Sequence, residues 1–412
     1  MDIVYPCCAG LDVHKKTVVA CVRRLAPDGT SRCEVRTFGT TTAALLELAD
    51  WLAAGGVTQV AMESTGVYWK PIYNILEGRF GVLLANPQQL RRVPGRKTDV
   101  KDCEWIAQLL QCGLLQASFI PSRPQRELRE LTRQRVQLTG QRASVANRLQ
   151  KVLEDANVKL ASVATDILGR SGRDMLRALA AGVQEPRVLA ELARGRLREK
   201  KPALEAALRG HLTEHHRFLL GLLPDQVDAL DVLLARLDAR VVELTAPFAE
   251  ALGRLDTIPG VNRRVAEVVL AEVGPDLRPF PSDRHLAAWA GVCPGQRQSG
   301  GKSQGGRTRK GNRWLRRVLV QAAWAASRKK DSYLQAQYRR LAGRRGRKRA
   351  AVAVAHTLLV IVYHVLKDGS TYQDLGATYL ERLEPERLTR SLVKRLERLG
   401  HKVVLQPKER VA

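Results

Sequence analysis

The chain has 412 residues, 68 of them Lys or Arg and 41 Asp or Glu, for a formal charge of +27 and an isoelectric point near 10.4. Hydrophobic residues at 45% and charged residues at 26% are enough for two or three packed domains, which excludes wholesale disorder, a collagen-like repeat and a disulfide scaffold. The charge excess points to a polyanionic partner, either nucleic acid or an acidic membrane surface.

Strand and helix signals alternate at the start. Ile3 to Asp12 and Thr17 to Leu25 predict apolar strands joined by a tight turn at His14-Lys15-Lys16, with a third strand from Arg32 to Phe38. Thr41 to Ala54 has helical periodicity behind Thr caps. Val57 to Met62 reads as a short buried strand, Val67 to Glu77 as a helix, Val82 to Ala85 as a strand and Thr98 to Cys112 as a helix. The order βββαβαβ plus a helix predicts an α/β unit over residues 1–120, a mixed sheet with helices on its faces.

After Pro121 and Pro124 only helix signals remain. Leu128, Leu131, Arg135, Leu138, Arg142, Val145, Leu149 and Val152 keep a 3-4 spacing. So do Val227, Leu230, Leu234, Leu237, Val241 and Leu244, between Pro224 and Pro247. Two helices with coiled-coil seams are expected over residues 121–250, either packed on each other or each meeting a second copy, since heptads do not name the partner. Glycines and prolines break Thr165 to Gly221 into short helices. Over residues 251–370, Leu255 to Val261 followed by a helix to Val273 outlines one of two things. It is a helix-hairpin-helix turn whose backbone at Gly260 meets a phosphate, or a plain helix-linking turn. Gly295 to Gly311 predicts a flexible loop, and helix resumes at Asn312. Ala350 to Leu366 falls short of the roughly 20 residues that cross a bilayer, so a buried helix is expected and no membrane partner. The tail, 371–412, has one apolar-periodic segment, Leu388 to Leu399.

The charge is clustered. Residues 1–90 hold eight basic and eight acidic side chains, whereas residues 296–349 hold 18 Lys or Arg and a single acid, Asp331, a local charge of +17. That is the footprint expected where phosphates are neutralised. Trp314 and Trp324 sit in helical patterns beside Leu and Ala and fit core packing better than base stacking. Seven cysteines form no CxxC pair, and the expected state is free thiols in a reducing cytoplasm, with no secretory leader.

Four acids stand out in the otherwise neutral N-terminal part. Asp12 follows the apolar run of the first strand, Glu63 ends the fourth, and Asp99 and Asp102 are three apart, on one side of a helix. If the first and fourth strands are neighbours, Asp12 and Glu63 lie side by side, and a helix crossing the sheet's end can bring Asp99 and Asp102 to them. Converging carboxylates repel unless cations sit between them, and oxygen ligands suit Mg²⁺ or Mn²⁺. Two such ions can activate a nucleophile and stabilise a leaving oxygen at a phosphodiester.

GLDVHKK, MESTGVYW and KTDVKD resemble the N-terminal RuvC-like, RNase H-like domain of IS110/IS1111-family transposases. IPGVNRRVAEVVLAEVG and LAAWAGVCPGQRQSGGKSQGGRTRKGNRWLRR are similar to that family's C-terminal, mainly α transposase domain, and the likeness spans roughly residues 5–370. The resemblance implies a DNA recombinase of an insertion sequence with Asp12, Glu63, Asp99 and Asp102 as catalytic metal ligands. It makes Ser299 the nucleophile of a covalent phosphoserine link. Arg297, Lys302, Arg307, Arg309 and Lys310 would stabilise transition-state charge, and Arg313, Arg316 and Arg317 would add to the DNA-binding surface. It further implies double-stranded DNA partners (element ends and target), a structured guide RNA that selects sites by base pairing, a homodimer or homotetramer, and a cytoplasmic, nucleoid-associated protein. The competing expectations are a metal-dependent junction endonuclease with no covalent step and a non-catalytic nucleic-acid scaffold.

Overall fold

A computed structural model describes residues 3–64, 66–86, 102–295, 298–303, 308–383 and 385–406, with the backbone alone for residues 298, 299, 302, 303 and 387. It divides into two compact units, Met1–Ile120 and Pro121–Ala412.

The first unit is built on strand alternation. Strands β1 (Cys7–Val13), β2 (Thr17–Leu25) and β3 (Ser31–Gly39) form an antiparallel meander. After helix α1 (Thr42–Ala54), strand β4 (Gln59–Glu63) joins β1 in parallel. After α2 (Trp69–Leu76), strand β5 (Gly81–Ala85) adds to β4, giving a mixed sheet of order β3-β2-β1-β4-β5. Thr41 caps α1, accepting from the Ala44 amide. Odd-numbered β1 residues Ala9, Leu11 and Val13 pack with Val60 and Met62 of β4 against Leu45, Leu48, Leu52, Ile72 and Leu76 of the two helices. The alternate face, carrying Cys8 and Ala61, takes Ile106, Leu109 and Leu110 of α3 (Asp102–Gln111). α3 lies so close that a β-carbon on Gly10 would stand 2.3 Å from the Cys103 carbonyl oxygen and 2.4 Å from the Ala107 nitrogen. Only glycine fits there.

In the second unit, α4 (Arg123–Asp155) runs antiparallel to α9 (Glu214–Thr245), as the descending partner numbers show: Arg135 pairs with Asp238, Arg142 with Asp231, and Asp155 with His216. The seam of α4 is thus met by a helix of the same chain, and both seam arginines have carboxylate partners. Between these helices lie α5 (Leu160–Val163), α6 (Arg170–Ala180), α7 (Pro186–Glu191) and α8 (Lys201–Ala207). Leu149, Leu153, Met175, Leu176, Leu179, Leu220, Val227 and Leu230 form their common core. Pro224 does not begin the second long helix. It is buried inside α9, because the apolar pattern starts earlier, at Leu220 and Leu223, behind a Thr213–His216 capping box.

The chain continues through α10 (Ala249–Asp256), α11 (Arg263–Val273) and α12 (Asp283–Ala290). The segment expected to be a flexible loop contains paired backbone instead: β6 (Gln298–Ser299) and β7 (Lys302–Ser303) form an antiparallel hairpin. α13 (Arg313–Ala326), α14 (Tyr333–Arg345) and α15 (Arg347–Asp368) follow, then α16 (Tyr379–Leu383) and α17 (Pro385–Arg398) in the tail. α15 is long and apolar enough by composition to cross a membrane. Its Leu358, Leu359 and Val362 are buried, and its Tyr363 hydroxyl donates to the Phe280 carbonyl at 3.2 Å, as in a core helix.

Candidate functional site

The acids in the first unit are placed by strand register. Leu11 of β1 pairs with Met62 of β4 in parallel, so Asp12 and Glu63, one residue further on each strand, lie at the same end of adjacent strands, Glu63 last in β4 and Asp12 one residue before the end of β1. Leu11 and Met62 face α1 and α2, so alternation turns Asp12 and Glu63 to the α3 side. Asp102 opens α3 there. The Cys103 carbonyl lies against Gly10, two residues before Asp12 on the same face of β1, so α3 begins on that side of the sheet, and the Cys103 thiol is pushed up by burial first, with the charges of Glu104 and Asp12 adding to the shift. Asp99 lies outside the described residues. Asp12, Glu63 and Asp102 are hard oxygen donors that fit a divalent cation in kind. Among the described residues, however, no three His, Cys, Asp or Glu side chains gather into a group that could hold a metal ion.

The sequence reading passed over His14, which it treated as part of a turn. Its Nε2–H donates to Asp12 Oδ2 across 3.0 Å. The two-residue spacing at a strand end, which puts both side chains on one side, was the available signal.

In the second unit, Ser299 ends β6, directly before a two-residue turn. Gly300 (φ 57°) and Gly301 (φ 74°) both have the left-handed backbone of a type I′ turn. Lower down, Pro294 bridges Thr308 in antiparallel fashion, so Ser299 stands near the tip of a hairpin arm. Of the cations expected around it, Arg297 and Arg307 lie outside the described residues, and Lys302 sits in β7. Arg309, Lys310, Arg313 and Arg317 are exposed and Arg316 half-buried. None of these five joins an ion pair among the described residues.

The arginines of α4 are different. Arg135 reaches Glu267 at 2.7 Å and Asp238 at 3.0 Å, and Arg133 grips Glu272 with two bonds of 2.6 and 2.7 Å. Burial pulls the Arg129 guanidinium down to about 10, with Glu272 opposing the shift. Sequence reasoning did not single out Glu267 or Glu272; two acids five apart within the apolar run of α11 were the only hint. Gly260, with φ 83°, is pressed against α13: a β-carbon there would lie 2.2 Å from the Ala322 oxygen. Helix packing accounts for this glycine without a phosphate.

Comparison with known proteins finds transposase matches in both units. Residues 9–158 match a transposase family model of the DEDD IS110 type, and residues 252–339 match the model for transposases of the IS116/IS110/IS902 family, together more than half of the chain. A probable family 20 transposase of Pseudomonas aeruginosa is 27% identical over 321 residues, which cover 76% of this chain and 85% of the relative. The transposase for insertion sequence element IS1111A of Coxiella burnetii is 29% identical over 240 residues, 56% of this chain and 64% of the relative. With both of its units matched in chain order, the protein belongs to the IS110 family of transposases.

Proposed function

We propose that this chain cuts and rejoins DNA for an insertion sequence through a covalent Ser299–DNA ester, with Asp12, Glu63, Asp99 and Asp102 holding Mg²⁺ or Mn²⁺. The observation that carries the reading is the β1–β4 register, which sets Asp12 and Glu63 at the same end of two adjacent parallel strands inside the segment matched by the family model. The sheet order, with three antiparallel strands continued by two parallel ones, supports a RuvC-like, RNase H-like unit.

A divalent cation bound by these carboxylates would supply Lewis-acid charge at a phosphate oxygen. Ser299 gives its hydroxyl proton to a base as Oγ bonds to phosphorus. The P–O bond to one strand's sugar oxygen breaks, and that oxygen takes up a proton and leaves as a free hydroxyl. The ester keeps the phosphate activated, so a second strand's hydroxyl can displace Ser299 by the reverse step with no outside energy source. Arg309, Lys310 and Arg313, with Arg297, Lys302 and Arg307, supply positive charge to the crowded phosphorus. Arg316 and Arg317 extend the grip on the backbone.

The 18 Lys and Arg of residues 296–349 give charge for two polyanions, which supports a structured guide RNA beside double-stranded DNA. Base pairing then names the sites, and no side chain has to read them. Exposed Phe218, Leu222, Val232 and Leu233 on α9 support a homodimer or homotetramer. The test is excision of the element in cells. Asp12→Ala, Glu63→Ala and Ser299→Ala are each expected to abolish excision while the proteins still retain DNA, and sequencing of co-purified nucleic acid is expected to return one RNA from the element's ends. Excision persisting in all three variants overturns the reading.

A further inference from the structure

The reading above leaves open what holds the Ser299 arm. The arm has a root: a β-carbon on Gly311 would lie 2.4 Å from the Gly291 nitrogen, so the two strands cross at a pair of glycines, and the Asn312 amide donates to the Trp289 carbonyl at 3.2 Å. Asn312 then does two things. Its Oδ1 accepts from the Trp314 and Leu315 amides at 3.0 and 3.1 Å, capping α13. Because that oxygen is committed, the Nδ2 end points the other way, and it donates to Glu272 Oε2 at 2.6 Å.

Glu272 is fully buried. Its carboxylate is gripped by Arg133, lies 3.5 Å from Arg129, and both guanidiniums stand over indoles, Arg129 over Trp289 and Arg133 over Trp314. One buried carboxylate therefore ties α4, α11 and the root of the arm. A buried charge of this kind tolerates little movement, because any partner it loses leaves it desolvated.

Resting on the assignment of Ser299 as nucleophile, we propose that Asn312 and Glu272 are positioning residues: the buried Glu272 carboxylate, acting through the Asn312 amide, fixes the root of the hairpin and so the aim of its tip. A misplacement of about 1 Å at a reacting atom costs on the order of 100-fold in rate, so the strap acts on the chemical step and not on DNA affinity.

The experiment uses the full chain expressed from its own element, so that any nucleic acid it carries is retained, with labelled duplex DNA bearing the element's ends. Asn312→Ser keeps a capping oxygen but is too short to reach Glu272. It is expected to slow formation of the protein–DNA adduct at saturating DNA at least tenfold, leave half-maximal DNA within twofold, and speed amide exchange over residues 298–303. Asn312→Asp, which sets a second carboxylate against Glu272, is expected to do the same. Should Asn312→Ser fold poorly, Gly311→Ala prises the root open independently and is expected to give the same split between rate and affinity. Adduct rates within twofold of the parent, or a loss explained by weaker DNA binding, overturn the proposal. Failure of the nucleophile assignment is separate: adduct then persists in Ser299→Ala, whatever the strap variants do to exchange in the arm.

Discussion

Arg135 illustrates how this chain spends its charge at single residues. Its side chain is 5% exposed and Glu267 opposite it 3%, so neither is screened by water. Arg135→Ala strands two carboxylates, although Arg263 still reaches Glu267 at 3.0 Å and Arg264 still contacts Asp238. The expected loss is about 3 kcal/mol, the low end for breaking a buried pair, read from urea unfolding of the full chain. Asp231 makes a pH-dependent contribution. The Arg142 hydrogen bond, then the charges of Arg142 and Arg173, hold its carboxyl below the ordinary range. A depressed carboxyl stabilises the fold above its unfolded value of about 3.9, and that stability is lost as pH falls through the folded value. The urea midpoint should therefore fall below about pH 4, and Asp231→Asn should flatten that part of the profile while lowering stability at neutral pH.

At the scale of elements, Gly10 sets how near α3 can come to the sheet. Gly10→Ala forces α3 off β1, at a cost of about 1–3 kcal/mol for overpacking. Because α3 begins beside Asp12, strand cleavage should drop more than melting temperature suggests, with DNA binding unchanged; intact cleavage would show that the helix does not help place the acids. Much of this unit was legible in the sequence. β2 and the Thr41 cap fall where alternation and capping chemistry put them, and Glu63 ends β4. In the second unit two kinds of feature were not. Pro224 was read as a boundary because proline removes a helix hydrogen bond, yet the burial of Leu220, Leu223 and Val227 on both sides carries the helix through it. The Gly300-Gly301 pair was read as looseness, although two adjacent glycines between residues able to pair are also a type I′ turn. Glu272 was illegible for a different reason: an acid on a helix reads as solvated until its guanidinium and amide partners arrive from residues 129, 133 and 312.

For the whole molecule, the sorting of charge is the main result. Arg129, Arg133, Arg135 and Arg142 of α4 and Arg173 and Arg177 of α6 are paired with acids, whereas Arg309, Lys310, Arg313, Arg316 and Arg317 are in no described ion pair. Further along, Arg344 and Arg345 close α14, and Arg347, Lys348 and Arg349 open α15, where positive charge opposes the helix dipole and no first-turn acid offsets it. Cations left in this state are ready for phosphates. Replacing Arg313, Arg316 and Arg317 together by Gln should reduce the slope of log affinity against log salt by roughly 2 to 3 for duplex DNA, at about 0.9 per phosphate contact. An unchanged slope would place the DNA elsewhere.

The account turns on the bond between protein and DNA. The most direct measurement is to incubate the protein with labelled DNA and Mg²⁺, denature, digest, and identify by mass spectrometry the peptide that carries nucleotide. The account predicts a phosphodiester on Ser299, absent in Ser299→Ala, in Asp12→Ala and after chelation of the metal. Strand cleavage that proceeds in Ser299→Ala with no nucleotide on any peptide would contradict it.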